Sequence, residues 1–309
     1  MSGRFAPSPT AALHLGNLRT ALLAWLFARS SGRRFRLRVE DLDTLRVSAG
    51  GDVARQQLAD LLALGLDFDG DVVWQSERRD AYAAAIASLD TYECFCTRRE
   101  IAEAPSAPHA DGYRPYTGTC LRLTAARRAE LASTRRPALR VRAAGERCTV
   151  TDLWAGSVTG TVDDFVLVRN DGVPAYNLAV VVDDLAMGVD QVVRGDDLLS
   201  SSPRQAWLAT RLGGVPPTYA HVPLALNRSG VRLAKRDGAV TLADLARLGM
   251  DADRVLAVLA RSLGLATSRE HVTLPQLLER FDPLQLPRHP WVVDPSDYAD
   301  ADVNRMSIT

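Results

Sequence analysis

The 309-residue chain has no excess of either charge sign, since 37 Lys and Arg side chains face 37 Asp and Glu side chains. That balance argues against a protein that coats nucleic acid with its whole surface, although a local basic patch could still bind RNA. No apolar run approaches the roughly 20 residues that span a bilayer, and no leader with a small-residue cleavage pattern precedes the first apolar segment. We therefore expect a cytoplasmic protein without membrane contact.

Cysteine is scarce as well. Three of the four cysteines lie close together in the chain: Cys94, Cys96 and Cys120. In a cytoplasmic chain such a cluster favours a metal site over disulfide bonds. Two thiolates two residues apart, with a third about two dozen residues later, fit a small tetrahedral zinc site. The residues leave the fourth ligand open among Tyr116, His109 and Cys148, and general metal chemistry favours the latter two because phenolate is an uncommon ligand.

Residues 3–43 are the segment around which the rest of the chain is organised. The pattern predicts a short strand, a Pro-rich turn, a helix capped by Asn17 and closed by Gly32, and a second strand over residues 34–40. A strand that feeds a turn at a helix N-terminus is a natural phosphate site, because free backbone N–H groups and the helix dipole point at the anion. His14 lies at this junction.

Strands and helices alternate up to residue 93, which favours an α/β fold with a parallel sheet. From Cys94 the periodicity stops, and we predict an inserted subdomain. Further on, Asn-Asp-Gly at 170–172 between strand-like runs at 165–169 and 174–182 predicts a hairpin. Ser202 before Pro203 predicts a helix start, and the chain after residue 238 is predicted to be helical.

A second chemistry-bearing segment is the basic stretch R-L-A-K-R-D-G at residues 232–238. Such a cluster next to glycine is usually a solvated loop. The functional interpretation is a mobile loop whose Lys235 neutralises a polyphosphate leaving group.

Several motifs in this order resemble those of class I aminoacyl-tRNA synthetases in their glutamyl form. They are R-F-A-P-S-P-T…L-H-L-G-N-L-R-T-A-L, R-V-E-D-L-D, D-F-V-L-V-R-N-D-G-V-P-A-Y-N-L-A-V-V-V-D-D, V-V-R-G-D-D-L, S-P-R-Q and R-L-A-K-R-D-G-A. The first and last are similar to the signatures called HIGH and KMSKS. The resemblance covers about three quarters of the chain. It implies an α/β fold with a Rossmann-type parallel sheet, a zinc-bearing insertion and a short helical C-terminal region. The implied domains are 1–93 and 164–240 for the two halves of the catalytic domain, 94–163 for the insertion, and 241–309 for the C-terminal region.

The resemblance also implies roles for matching residues. In the family the first signature holds ATP and stabilises its α-phosphate, and the second binds the departing pyrophosphate. The implied catalytic residues are His14 and Lys235, and the implied ATP contacts are His14, Gly16, Asn17 and Lys235. The implied glutamate contacts are Arg4, Phe5, Ala6, Pro7, Ser8, Glu40, Tyr176 and Arg194. Glu40 can pair with an ammonium group, and the two arginines can pair bidentately with carboxylates. The plainer alternatives are a capping carboxylate at Glu40 and a surface ion pair between Arg194 and Asp196 or Asp197.

Two features resemble a shorter paralogue of the glutamyl enzyme. About 70 residues follow the second signature, which is too few for a helical anticodon-binding domain, and the pattern C-x-C…Y-x-x-x-C matches a zinc site with tyrosine as fourth ligand, here Tyr116. The paralogue implies activation of L-glutamate by Mg-ATP without tRNA, then transfer to the queuosine base in the anticodon stem-loop of tRNA(Asp), by a monomer. The alternatives are a truncated synthetase that charges a tRNA 3′ end and needs tRNA for activation, and a non-catalytic binding relative.

This sequence departs from the family pattern at three positions. Ala11 replaces a usual glycine, and would be strained if its backbone needed a positive φ. In the second signature Ala234 replaces serine and Arg232 replaces the first lysine, whereas Lys235 is kept.

Overall fold

The protein is described by a computed structural model that covers residues 1–43, 47, 50–103, 115–233, 240–267 and 270–294. The strands are β1 (Ser2–Phe5), β2 (Arg34–Val39), β3 (Val73–Trp74), β4 (Thr91–Cys94), β5 (Ala138–Val141), β6 (Arg147–Asp152), β7 (Gly156–Thr161), β8 (Val166–Val168), β9 (Val189–Gly195), β10 (Thr218–Val222), β11 (Ala225–Leu226) and β12 (Trp291–Val292). The α-helices are α1 (Leu15–Ser30), α2 (Gly50–Ala63), α3 (Arg79–Ala87), α4 (Arg98–Glu103), α5 (Ala125–Thr134), α6 (Tyr176–Ala186), α7 (Ser202–Arg211), α8 (Leu242–Arg247), α9 (Ala252–Ser262) and α10 (Leu274–Arg280).

The main sheet has seven strands in the order β3-β2-β1-β9-β10-β6-β7. All neighbouring pairs are parallel except β6 with β7. From β1 the chain moves outward to β2 and β3, whereas from β9 it moves the opposite way to β10. The two directions meet between β1 and β9, and ligands of open α/β sheets bind outside the carboxyl ends of the strands at such a switch point. The predicted α/β class with a mostly parallel sheet is confirmed.

Helix α1 is the centre of the largest core. Eleven of its residues are buried, including Leu18, Leu22 and Leu26, and they pack with apolar side chains of β2 and of α9. The predicted cap at Asn17 is wrong by three residues, because His14 is the N-cap. The His14 Nδ1 atom accepts hydrogen bonds from the backbone N–H groups of Gly16 and Asn17, while the Asn17 side chain accepts from the His14 N–H. Gly32 follows the helix at φ 68°, as a closing glycine should.

The predicted hairpin around Asn170-Asp171-Gly172 is correct at its turn and wrong in its second strand. The Gly172 N–H donates to the Arg169 carbonyl, and Gly172 has a positive φ. The following apolar run is helix α6 rather than a strand. Residues 178–182 of that helix are all buried. A continuous apolar run does not distinguish a buried strand from a buried helix, and here tertiary packing overrides the β preference of three consecutive valines.

Residues 94–163 contribute to both sheets. The small antiparallel sheet β4-β5-β8 carries the cysteine cluster at the end of β4, whereas the hairpin β6–β7 extends the main sheet. Neither β4 nor β6 was predicted, although both are short strands in which more buried residues, such as Tyr92 and Val150, alternate with exposed ones. The domain limits given above stay a prediction.

The C-terminal helices pack onto α1, as α9 and α10 contribute buried residues such as Leu259 and Leu277 to its core. Strand β12 pairs in parallel with β11, and the Trp291 N–H donates to the Leu224 carbonyl at 3.0 Å. The N-cap of helix α7 is Ser201, and Ser202 is its first helical residue. The predicted cap at Ser202 is therefore wrong by one residue. Among the described residues, no helix is long and apolar enough to cross a membrane.

Candidate active site

A cavity of about 930 Å³ lies at the switch point between β1 and β9. Most of the predicted site residues line it: Arg4, Phe5, Ala6, Pro7, Ser8, His14, Asn17, Glu40, Tyr176 and Arg194. Gly16 lies behind His14 instead, where a Cβ would come within 3.0 Å of the Ala225 Cβ atom. Lys235 and Ala234 lie outside the described residues. One cavity thus gathers segments from Arg4 at one end of the lining to Thr241 at the other.

His14 sits at the positive end of helix α1 with a defined protonation state. Because its Nδ1 atom accepts two backbone hydrogen bonds, at 3.1 and 3.3 Å, the ring proton is assigned to Nε2. Burial, and to a smaller extent the Arg232 guanidinium, lower the pKa of His14 to about 4. At neutral pH the ring is therefore an uncharged hydrogen-bond donor at the positive end of the α1 dipole, where the N–H groups of residues 15–17 are already bonded to Val240 and His14.

We predict that His14 titrates near pH 4, against about 6.5 for an unperturbed imidazole, in an NMR titration of the ring. Because the pKa of His14 is lower in the folded than in the unfolded protein, protonation favours the unfolded state. The contribution of His14 to the unfolding free energy is therefore complete above about pH 6.5 and is lost as the pH falls toward 4. A protonated Nδ1 would also stop accepting from the helix N–H groups. The variant His14→Asn keeps a good cap, so its unfolding free energy should fall less steeply over this range than that of the wild type. Equal slopes for both proteins would contradict the assignment.

Charged side chains of both signs line the deep end of the cavity. The Arg4 guanidinium, 5% exposed, donates from Nε to Asp184 at 3.4 Å and from one terminal nitrogen to the Val193 carbonyl at 3.3 Å. Three of its five N–H hydrogens remain for a ligand, which is enough for a bidentate contact. Glu40 accepts from Arg38 with one oxygen at 3.2 Å. Burial raises the pKa of Glu40 against the attraction of Arg38 and Arg4, so a bound cation would favour its ionised form.

Arg194 is more restrained than the sequence suggested. Its partners are His221, Gln205, Ser202 and the Leu198 carbonyl, at 3.0, 2.7, 2.8 and 3.3 Å, and neither Asp196 nor Asp197 is among them. These bonds use four of its five N–H hydrogens, so in this arrangement it offers one rather than the predicted bidentate pair. His221 and its partner Asp152 were missed by the sequence analysis. No local signal marks them, since they lie 69 residues apart.

The second signature borders the same cavity. Arg232 and Leu233 line it, as does Thr241 on the far side of the undescribed residues 234–239. The Leu15 N–H donates to the Val240 carbonyl at 3.1 Å, and His14 forms a β-bridge with Thr241. Arg232 is exposed and pairs with Asp197 across the cavity wall. The segment that contains Lys235 therefore starts and ends beside the N-terminus of α1.

Gln57 on α2 is a further cavity residue that the sequence did not suggest. It is 2% exposed, and its amide nitrogen donates to the Ser8 carbonyl at 3.2 Å and to the Ala11 carbonyl at 2.6 Å. These bonds hold both ends of the turn after β1. Among the described residues Ala144 is the one non-glycine residue with a positive φ, so alanine at position 11 carries no backbone strain.

The cysteine cluster forms a separate site about the ends of β4 and the turn at Thr119–Arg122. The Sγ atoms of Cys94, Cys96 and Cys120 lie within 4.8 Å of one another, and the Tyr116 Oη atom is 3.4 Å from the first and 3.8 Å from the second. A tetrahedral zinc ion needs S···S edges of roughly 3.8 Å and S···O edges of roughly 3.5 Å. The four donor atoms fit that geometry, so this group could hold a metal ion.

Of the two candidates for the fourth ligand that the structure describes, Tyr116 lies beside the thiols and Cys148 does not. Cys148 packs against a different set of core residues around Val150 and Val192, and His109 lies outside the described residues. The four cysteines are free thiols rather than disulfides. Arg140 stacks 3.7 Å from the Tyr116 ring centroid, which places a positive charge beside a group of potential anions.

Comparison with known proteins shows the family and the fold of the chain. Residues 1–298 match the family model described as tRNA synthetases class I (E and Q), catalytic domain. A crystal structure of a glutamate tRNA ligase from Elizabethkingia meningosepticum, in complex with its amino acid, superimposes with a TM-score of 0.77 at 26% identity, over 96% of this chain and 67% of that one. The chain belongs to this family of class I tRNA synthetases, and is thus a ligase-type enzyme. Glutamate, ATP with Mg²⁺ and tRNA are the partners that the family implies.

Within the family the chain is similar to one particular group of proteins. A relative from Nocardia farcinica is 60% identical, over 94% of this chain and 93% of its own length, and is named Glutamyl-Q tRNA(Asp) synthetase. A protein from Helicobacter hepaticus named Glutamate--tRNA ligase 1 is 36% identical over 93% of this chain, which spans 62% of that protein. The group named Glutamyl-Q tRNA(Asp) synthetase therefore matches in both identity and length.

Proposed function

We propose that this enzyme activates L-glutamate with Mg-ATP, without tRNA, and transfers the glutamyl group to the queuosine base in the anticodon stem-loop of tRNA(Asp). The observation that carries the activation step is one cavity in which a carboxylate, two guanidinium groups and the N-terminus of α1 converge. The choice of acceptor rests on the name and the matching length of the Nocardia relative.

L-Glutamate carries one ammonium and two carboxylate groups, and the deep end of the cavity offers a partner for each. Glu40 would take the ammonium with the oxygen that does not bind Arg38. Arg4, with three N–H hydrogens available, would take one carboxylate bidentately, and Arg194 would take the other through its single available N–H. Residues 5–8 and the Tyr176 side chain would enclose the ligand, since they line the same wall.

ATP would lie at the other end, across the N-terminus of α1. Neutral His14 would donate from Nε2 to the α-phosphate, Asn17 would contact the nucleotide, and Gly16 would permit the close packing behind His14. The glutamate α-carboxylate oxygen attacks the α-phosphorus, a new C–O–P linkage forms, and the bond to the leaving pyrophosphate breaks. Lys235 would neutralise that pyrophosphate. Catalysis is then mainly positioning and charge stabilisation.

Zinc is the metal that we propose for the cysteine cluster, with Cys94, Cys96, Cys120 and Tyr116 as ligands. The support is three thiols and a phenol at tetrahedral spacing, a donor set that suits Zn²⁺. Its role would be structural, because four protein ligands leave no open position for a substrate. Mg²⁺ would arrive with ATP and neutralise part of the phosphate charge.

The test is glutamate-dependent exchange between ATP and labelled pyrophosphate with no tRNA present. We expect exchange in the wild type. In Glu40→Gln the KM for glutamate should rise about 30- to 100-fold, because a charged contact to the ammonium is lost, while the KM for ATP stays within about twofold. Glutamine still accepts from Arg38, so stability should change little.

Glu77→Gln is the matched control, since it makes the same chemical change at an exposed position outside the cavity. Exchange that appears only when tRNA is added would instead favour charging of a tRNA 3′ end. The acceptor is tested next, by transfer of labelled glutamate to tRNA(Asp) with and without queuosine. Labelling that is equal on both tRNAs would count against the modified base as acceptor.

A further inference from the structure

A buried chain of polar side chains runs from the hairpin β6–β7 to the cavity. It begins at Asp152, passes through His221 on β10 and ends at Arg194 on β9. All three are at most 6% exposed. We propose that His221 and Asp152 are positioning residues: they hold the Arg194 guanidinium in an orientation that leaves one N–H for a ligand carboxylate. Through that orientation they set the affinity and the selectivity of the site for the acidic amino acid. This inference rests on the proposed function, which makes Arg194 a glutamate contact.

The first step is the protonation state of His221. Its Nδ1 atom lies 2.7 Å from Asp152 Oδ2, and the same carboxylate oxygen accepts from the His221 backbone N–H at 3.0 Å. A carboxylate can only accept, so Nδ1 carries the ring proton. Burial and the nearby Arg194 lower the pKa of His221, against the attraction of Asp152. The ring is therefore neutral, and Nε2 is an acceptor.

The second step is what this acceptor does. Arg194 donates from Nε to His221 Nε2 at 3.0 Å, and Ser202 Oγ lies 3.2 Å from the same nitrogen. The Ser202 oxygen also accepts from Arg194, so the three groups close a ring of hydrogen bonds. The Nε edge of a guanidinium is one of the two edges that can bind a carboxylate bidentately. His221 occupies that edge and prevents a ligand from using it.

The third step concerns selectivity. Arg194 presents a full positive charge but only one N–H hydrogen to the cavity. A ligand therefore gains binding free energy at Arg194 mainly through charge attraction rather than through several hydrogen bonds. A carboxylate is preferred over a neutral amide under that condition, because an amide oxygen can accept the same hydrogen bond without the charge attraction. Without His221 the guanidinium could rotate, and both the affinity for glutamate and the preference over glutamine would fall.

The fourth step is the link to the rest of the fold. Asp152 Oδ1 also accepts from the backbone N–H groups of Trp154 and Ala155, at 3.0 and 2.9 Å, and so closes the turn between β6 and β7. The residue that orients His221 is thus fixed by its own hairpin. That places the orientation of Arg194 under the control of a segment that does not line the cavity.

The experiment compares wild type, His221→Leu and His221→Gln in tRNA-free pyrophosphate exchange. Leucine removes both ring functions, and we expect the KM for L-glutamate to rise roughly 10- to 50-fold, with the KM for ATP within about twofold and a smaller preference for glutamate over glutamine. Glutamine retains an acceptor and a donor, and should restore most of the affinity. His271→Leu, at an exposed position, is the matched control.

A purely structural role for His221 would lower the melting temperature without separating the two KM values, and that result would overturn the proposal. If leucine prevents folding, His221→Gln and the NMR spectrum of the wild type decide. The ring ¹⁵N shifts should show the Nδ1–H tautomer, and the Arg194 Nε–H should exchange slowly. The opposite tautomer would overturn the proposal. If the wild type shows no glutamate-dependent ATP–pyrophosphate exchange, the proposed function is refuted. The NMR result would still test whether His221 orients Arg194.

Discussion

Replacing Lys235 by methionine should lower the kcat of tRNA-free pyrophosphate exchange about 100- to 1000-fold, the usual loss when one charge-stabilising donor is removed. The described cavity supplies few alternatives. Arg4 and Arg194 are the proposed glutamate contacts, and Arg232 is paired with Asp197. Methionine matches the length of the lysine stem without its charge. The KM for glutamate should change little, because the segment borders the opposite end of the cavity.

The sequence offers an unusually clean control, because Lys235 is the only lysine among the 37 basic side chains. An amine-reactive acylating reagent can therefore modify one side chain and the α-amino group alone. We expect Mg-ATP to protect Lys235 from acylation, measured by mass spectrometry, and Lys235→Arg to retain more activity than Lys235→Met. Acylation of Lys235 that leaves exchange unchanged would contradict its role at the pyrophosphate.

Loss of the proposed zinc ion should have the largest effect on stability. The buried cluster around the cysteines consists of Tyr92, Cys94, Phe95, Tyr116 and Cys120, so most of its members are proposed ligands. Without metal that small core keeps its apolar contacts and the pairing of β4 with β5. Structural zinc contributes on the order of 10 kcal/mol in small zinc domains. We expect a chelator, or Cys120→Ser, to unfold this region locally, seen as rapid hydrogen exchange over residues 91–96 and 115–123.

The amides of the main core should stay protected from hydrogen exchange under the same treatment. Leu22, Leu259 and their neighbours belong to a different core cluster from the cysteines. Cys148→Ser is the matched control, because it removes a thiol from another cluster.

Burial and the Cys94 thiol raise the pKa of Cys96 to about 12 in the metal-free protein. Metal must then displace a proton, so affinity should fall as the pH falls. One metal ion per chain by elemental analysis is expected, and none would refute the site.

Local patterns in the sequence were sufficient to find the first signature and the cysteine cluster. In the first signature the contacts join near neighbours such as His14 and Asn17, whereas at the cysteines the spacing indicated only a metal site and the resemblance supplied Tyr116 as fourth ligand. The order of strands and helices likewise predicted the α/β class. The valine-rich run of α6 was assigned to a strand because its environment, rather than its composition, decides its conformation.

The parts that sequence could not supply are those made by long-range contacts. Asp152 and His221 meet across 69 residues, and Gln57 reaches back 46 residues to Ala11. Neither pair has a spacing rule, since they are brought together by the order of strands and by the packing of α2. That Arg194 offers a single N–H to a ligand became clear only from the structure, which shows its four hydrogen-bond partners. Residues that orient a functional side chain were therefore missed more often than the side chain itself.

The pairing of β11 with β12 has a consequence for protein engineering. Trp291 and Val293 donate backbone hydrogen bonds to Leu224 and Leu226, and Leu226 in turn bridges to Arg232 at the cavity. A version shortened to residue 290 would leave those two carbonyl groups without their strand partner, one step from the second signature. A reporter or affinity tag is therefore best joined beyond residue 294, where it leaves this short ladder intact.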